Sequence, residues 1–293
     1  MMEILWPAIV LGGLGLLFGL LLTFASKKFH VEKDPRIGEI RNALPGANCG
    51  GCGYAGCDAL AEAIAKGEAP VNKCPVGGAA VAGKVAEIMG VEASEEVRKV
   101  CHVRCHGVEG NVKDTYKYQG IRDCQAVNDT AGGGKACRFA CLGLGNCERA
   151  CQFDAIKIVN GIPKVNTANC TACGVCVATC PRSVLELLPE NTAVFVACRN
   201  TSDAKTTRAA CTRGCIACKR CVKACEQGAI EIVNNVATID YSKCIGCGAC
   251  AEVCPSHCMT KDEILINVEK SKFELDRKAQ RELQREVEAE EKN

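Results

Sequence analysis

The stretch Cys215-Ile-Ala-Cys218-Lys-Arg-Cys221-Val-Lys-Ala-Cys225, followed by Cys244-Ile-Gly-Cys247-Gly-Ala-Cys250-Ala-Glu-Val-Cys254, decides how this chain is read. Thiols repeated at this spacing suit convergence on one inorganic core and are poorly placed for separate disulfides. The full chain of 293 residues carries 26 cysteines. Such a density belongs to a secreted disulfide scaffold or to a metal protein, and the tight triple runs select metal. Four-cysteine zinc sites usually pair two C-x2-C knuckles, so triple runs favour iron–sulfur clusters. Aromatic residues are only 4% of the chain, too few for a large packed core, so metal binding has to supply folding energy.

Working outward, the stretch is one copy of a tandem repeat. A shift of 74 positions carries Cys124, Cys137, Cys141, Cys147 and Cys151 onto Cys198, Cys211, Cys215, Cys221 and Cys225. The same shift carries Cys170, Cys173, Cys176 and Cys180 onto Cys244, Cys247, Cys250 and Cys254, with no gap. Each copy alternates a cysteine run with β-like stretches, as at Ala155 to Val159 and Ala229 to Val233. This is the bacterial ferredoxin pattern, in which the fourth Cys of each run ligates the other cluster. Cys215, Cys218 and Cys221 are therefore expected to bind one cluster with Cys254, and Cys244, Cys247 and Cys250 the next with Cys225.

The first copy departs from this pattern at one place. Its second half is regular, with Cys170, Cys173 and Cys176 joined by Cys151. In its first half Leu144 stands where the second copy has Cys218. Either Cys137 completes a cluster with Cys141, Cys147 and Cys180, or this site is a three-iron or empty one. Gln152 and Glu226 replace the proline expected after the fourth Cys, which is not a ligand. Cys101, Cys105, Cys124, Cys198, Cys211 and Cys258 are left over, either as free buried thiols or, in part, as a sixth cluster.

Upstream, Cys49-Gly-Gly-Cys52-Gly-Tyr-Ala-Gly-Cys57 places four glycines among three sulfurs, and Cys74 offers a fourth thiolate. Four thiolates alone leave zinc open here. Ala-rich helices are expected over Asp58 to Lys66 and Ala79 to Met89. Ile4 to Ala25 is a charge-free run of 22 residues, long enough at about 1.5 Å per residue to cross a hydrocarbon core. Lys27 and Lys28 follow it, which places the bulk of the chain on the cytoplasmic side. The start Met-Met-Glu lacks the basic flank of a cleaved signal peptide. Gly15 and Gly19 form a small-x-x-x-small pair for a neighbouring helix.

The fold class expected is α+β. It comprises a transmembrane anchor (1–26), a linker (27–40), a four-Cys [4Fe–4S] domain (41–100) and an irregular connector (101–123). Two ferredoxin-like modules (124–190 and 191–268) and a charged helix or tail (269–293) complete it. A net charge of +2 leaves no footprint for nucleic acid. Cys101-His-Val-Arg-Cys105-His106 has one residue too many for c-type haem attachment, and Gly132-Gly133-Gly134-Lys135 lacks the rest of a phosphate loop. The four histidines His30, His102, His106 and His257 read as surface or supporting residues, and no catalytic triad or dinucleotide fingerprint is present.

The order of parts, with the loop Cys141-Leu-Gly-Leu-Gly-Asn-Cys147 opening the modules, resembles the B subunit of the Rnf complex. Rnf is the ion-translocating ferredoxin:NAD oxidoreductase of bacterial and some archaeal membranes. The cysteine quartets give about five [4Fe–4S] clusters with room for a sixth; the resemblance covers essentially the whole chain and implies [4Fe–4S] bound by Cys49, Cys52, Cys57 and Cys74. It further implies that electrons arrive from soluble reduced ferredoxin and leave toward membrane and flavin-bearing subunits that reduce NAD and move Na+ or H+. The chain itself would make no bond in a substrate. The other reading is a polyferredoxin relay of another membrane oxidoreductase such as a hydrogenase.

Overall fold

The computed structural model describes residues 2–28, 34–92, 97–130 and 132–261. The expected charged tail, part of the linker and His30 lie outside the described residues. Helix α1 (Met2–Lys28) opens the chain. Its described side chains between Leu11 and Phe24 are all exposed. Among the described residues, no helix is long and apolar enough to cross a membrane.

Three helices build the next unit: α2 (Pro35–Ala43), α3 (Cys57–Ala65) and α4 (Gly78–Met89). Asp34 caps α2 by accepting from the Arg36 N–H at 2.9 Å, with proline in the first turn where its missing donor costs nothing. Ala-rich spacing lets α3 lie close to its neighbours. Leu60 and Ile64 of α3 bury against Ile40 and Leu44 from the α2 end and Val85 of α4. Each such side chain contributes about 1.5–3 kcal/mol on burial, a modest core for a unit of this size. Both helices expected from sequence are present to within a residue at each end.

The rest of the chain is β1 (Lys99–Val103), α5 (Cys124–Thr130), α6 (Asn146–Arg149), β2 (Ile156–Val159), β3 (Ile162–Val165), α7 (Val175–Thr179) and β4 (Leu185–Pro189), then a second set. That set is β5 (Val194–Val196), α8 (Ala204–Ala210), α9 (Arg220–Ala224), β6 (Ile230–Val233), β7 (Val236–Ile239), α10 (Ala249–Glu252) and β8 (Met259–Lys261). Hairpins β2–β3 and β6–β7 are closed by Asn160-Gly161 and Asn234-Asn235, all four residues left-handed. Two-residue turns with both positions left-handed match the twist of paired strands.

Each copy also has an outer antiparallel pair, β1 with β4 and β5 with β8. Strands β4 and β8 are related by the repeat of 74, so Leu185 and Met259 correspond. Their partners Val103 and Val196 stand 93 positions apart. The first copy thus carries an insertion after its first strand. This corrects the expectation of an irregular connector from Cys101 to Asp123, because its opening residues pair in the first module's sheet. Short strands without a regular apolar alternation gave no local sign of this pairing.

The four-Cys unit docks on the first module through its glycine loop. A Cβ on Gly51 would overlap the carbonyl of Cys173, so only glycine permits this approach. The Gly51→Ala variant is therefore expected to lift the loop off the module. Hydrogen exchange should rise in the amides around 49–57 and 171–174, while iron in the four-Cys unit is retained; unchanged exchange at both segments would show that the contact is not tight.

Candidate metal centres

The cysteine runs share one backbone device. In Cys170–Cys176 the residues Ala172 and Gly174 are left-handed; in Cys215–Cys221 they are Ala217 and Lys219; in Cys244–Cys250 they are Gly246 and Gly248. Alternating right- and left-handed residues turn successive N–H groups toward one side, which makes a concavity suited to an anion. Holding alanine or lysine left-handed costs about 1–2 kcal/mol per residue, so the loop shape has to be offset by what it surrounds. The loop Cys141–Cys147 keeps the same two left-handed positions at Gly143 and Gly145. Its shape persists although Leu144 has replaced the sulfur.

Around these loops the sulfurs gather in sets. Cys151, Cys170, Cys173 and Cys176 line one cavity. The Ala155 N–H donates to Cys151 Sγ at 3.4 Å and the Cys101 N–H to Cys170 Sγ at 3.4 Å. Cys101 Sγ lies 3.7 Å from Cys176 Sγ, a contact that pushes the Cys101 thiol up and holds Cys176 down. In the second module Cys215, Cys218, Cys221 and Cys254 line a cavity with Cys258. Cys258 Sγ is 3.6 Å from Cys254 Sγ. Its hydrogen bonds hold Cys254 near 4 and Cys215 near 6 while Cys258 itself is pushed up. Beyond them, Cys244 and Cys247 stand near Cys250, whose thiol burial pushes to about 11. Cys225 packs against the same core.

At the N-terminal unit Cys52, Cys57 and Cys74 share one core, and Cys49 lies close enough to Cys173 to raise that thiol, though burial contributes more. The Cys57 N–H donates to Asn48 Oδ1 at 2.8 Å, which ties the start of α3 to the glycine loop.

The first half of the first module differs from the sequence expectation. The sulfur beside Cys141, Cys147 and Cys180 is Cys124, and these four line one cavity. Asn146, next to Cys147, fixes it there: its Oδ1 accepts the Cys124 N–H at 2.9 Å and its Nδ2 donates to Asp123 at 2.7 Å. Cys137 stands elsewhere, lining a separate cavity with Cys105, Cys198 and Cys211. Proximity in sequence favoured Cys137, but in the structure Cys137 lines a different cavity and Cys124 lines this one. The Asp123-Cys124 pair at the start of α5 faces Asn146 of the cysteine loop, a pairing that joins residues 22 and 23 positions apart.

Each of the four cavities is lined by four or five cysteines, a donor set suited to a [4Fe–4S] core. Arg182 Nε and Arg213 Nε are buried donors without a hydrogen-bond partner, and each arginine lines one of the sulfur cavities. A buried orphan donor is costly unless something accepts from it.

Two family models match parts of the chain. A profile described as an Fe-S cluster matches residues 44–76, and a 4Fe-4S dicluster domain matches residues 214–258. The chain is 49% identical over 261 residues to the B subunit of the Na(+)-translocating ferredoxin:NAD(+) oxidoreductase complex of Acetobacterium woodii, covering 89% of this chain and 78% of that one. It is 44% identical to the B subunit of the ion-translocating oxidoreductase complex of Methanosarcina acetivorans, over 84% of this chain and 94% of the relative. A third relative, the B subunit of the proton-translocating ferredoxin:NAD(+) oxidoreductase complex of Clostridium ljungdahlii, is 40% identical over 87% and 92% of the two chains. Identity at this level across most of each chain means that this protein belongs to the B subunits of the ion-translocating, Rnf-type oxidoreductase complexes.

Proposed function

We propose that this chain is the electron-relay subunit of its complex, taking electrons from reduced soluble ferredoxin and handing them toward flavin-bearing subunits and NAD. The observation that carries this reading is the succession of sulfur cavities through the described residues. Cys49 neighbours Cys173, Cys176 neighbours Cys147, and Cys221 neighbours Cys250. Bound [4Fe–4S] clusters would supply reversible one-electron chemistry at these positions.

Five ligand sets follow: Cys49, Cys52, Cys57 and Cys74; Cys151, Cys170, Cys173 and Cys176; Cys124, Cys141, Cys147 and Cys180; Cys215, Cys218, Cys221 and Cys254; Cys225, Cys244, Cys247 and Cys250. The protein's part is to hold sulfurs at fixed corners, direct backbone N–H groups at them and exclude water. Those are the levers that set a cluster's potential. Cys101 and Cys258 belong to no set in this reading, and each presents a thiol to a ligand sulfur. The alternative of a hydrogenase relay finds no support in the family. The membrane attachment is read from the sequence: the charge-free run Ile4 to Ala25 would provide it, with Lys27 and Lys28 keeping the cluster-bearing part on the cytoplasmic side.

Two experiments test this reading. Anaerobically prepared Cys124→Ser is expected to lose about four irons and four sulfides, or to show an oxidised three-iron EPR signal at that site. The double variant Cys124→Ser/Cys180→Ser should lose no more than either single variant. Full iron in Cys124→Ser would remove it from the set. For topology, an alkaline phosphatase fusion after Asn293 should be inactive and a fluorescent protein fusion at the same place bright; the opposite pair of results would reverse the sidedness.

A further inference from the structure

Two buried cysteines that bind no cluster carry an inference which rests on the five-set reading and goes beyond it. We infer that Cys101 and Cys258 are hydrogen-bond donors to ligand sulfurs, each raising the reduction potential of the cluster it touches without binding iron.

Both stand against complete sets. Cys258 Sγ lies 3.6 Å from Cys254 Sγ, and Cys215 of the same set lines the cavity with both. Cys101 Sγ lies 3.7 Å from Cys176 Sγ, while the Cys101 N–H donates to Cys170 Sγ at 3.4 Å. A [4Fe–4S] core takes four protein sulfurs, so a fifth thiol finds no iron to bind. A sulfur bonded to iron has released its proton. The hydrogen in each S···S contact is then carried by Cys101 or Cys258, and the ligand sulfur accepts it.

The repeat supplies an internal comparison. Under the shift of 74 positions Cys258 corresponds to Val184, which lines the cavity of Cys124, Cys141, Cys147 and Cys180. By strand register Cys101 corresponds to Val194, since Cys101 faces Leu187 in β4 and Val194 faces Lys261 in β8. Val194 belongs to the apolar cluster that holds Cys250. All four side chains are only 1 or 2% exposed, so packing alone accepts valine at both places. Each module thus has one set with a thiol beside it and one with a valine, and the two modules place the thiol at opposite sets. A buried cysteine acting only as a small hydrophobe would add nothing that valine lacks.

The outer strand pairs hold the donors in place. Cys101 is the middle residue of β1, paired across to β4. At the entry to β8 the Ala197 N–H donates to the Cys258 carbonyl at 2.8 Å. Reduction adds one negative charge to a cluster, and a hydrogen bond to one of its sulfurs stabilises that charge. The electron comes from the reduced carrier, and the thiol keeps its hydrogen throughout. Other groups approach these sets too: Ser256 Oγ lies 3.7 Å from Cys254 Sγ, and Arg182 Nε is buried at the Cys124 set. The effect of the thiol is therefore read at one cluster, with and without it.

The test is an EPR-monitored redox titration of the full chain, prepared anaerobically, with iron and sulfide measured on the same samples. Cys258→Ala and Cys258→Val should keep wild-type iron and lower the potential of one cluster. The expected drop is about two- to tenfold in the equilibrium for electron uptake, the worth of one modest hydrogen bond; tenfold is about 59 mV for one electron. Cys258→Ser, which keeps a donor, should stay closer to wild type. Cys101→Ala should lower a different cluster, and the double variant should lower both. Full iron with unchanged potentials would overturn the inference, as would equal shifts in the Ser and Ala variants. Loss of about four irons from Cys258→Ala would overturn it by making Cys258 a ligand. Cys254→Ser separates the two levels of the argument: it should lose iron, and full iron there would overturn the five-set reading itself.

Discussion

The constraint on which this structure depends is the burial of many sulfurs side by side. Burial pushes the thiols of Cys141 and Cys147 up to about 12, and neighbouring sulfurs add to the effect. Cys198, Cys221 and Cys250 rise to about 11 for the same first reason. Iron bonded to sulfur needs thiolates, so the charge that burial penalises has to be compensated by the metal core, by arginines and by backbone N–H groups. In the proposed reading the left-handed residues of the cysteine loops, the N–H donors to Cys151 and Cys170, and the orphan arginine nitrogens would serve that compensation.

The architecture follows from the same constraint. Among the described residues the sheets are pairs of strands, the longest five residues. Two-stranded pieces of this size are marginal alone in water. The apolar clusters of the two modules are themselves part sulfur: Cys141, Cys147, Cys170 and Cys176 in one, Cys215, Cys221, Cys250 and Cys254 in the other. Removing metal would leave buried thiols around voids in place of a packed interior. Folding and metal binding are therefore one process for most of this chain, and the helical N-terminal unit is the part with the most conventional core.

Duplication supplied two modules with matched thiol positions, and the two copies then diverged. Leu144 removed one sulfur from the first copy, while the loop kept its left-handed turns and Asn146 holds Cys124 beside it. The insertion after β1 gave the first copy a strand-like segment that hydrogen-bonds to both copies. Divergence and contact between copies are thus connected. Residues surplus to a single ferredoxin module are the ones found where the modules meet.

The sequence by itself determined what depends on short range. Spacing within each cysteine run announced a multi-atom metal core, since three thiols a few residues apart close one loop whatever the rest of the chain does. The shift of 74 positions announced the tandem modules, and the Asn-Gly and Asn-Asn turns sit where the β-like stretches required them. Helices α3 and α4 were legible from Ala-rich spacing. What only the tertiary structure decided was which distant segment supplies the last sulfur. Cys124 stands by the Cys141 loop and Cys137 at the junction because strand pairing between β1 and β4 and the hydrogen bonds of 111–114 fix where those segments run. A sulfur's partners are set by distance in space, and along the chain Cys105 and Cys211 lie too far apart for any local pattern to relate them.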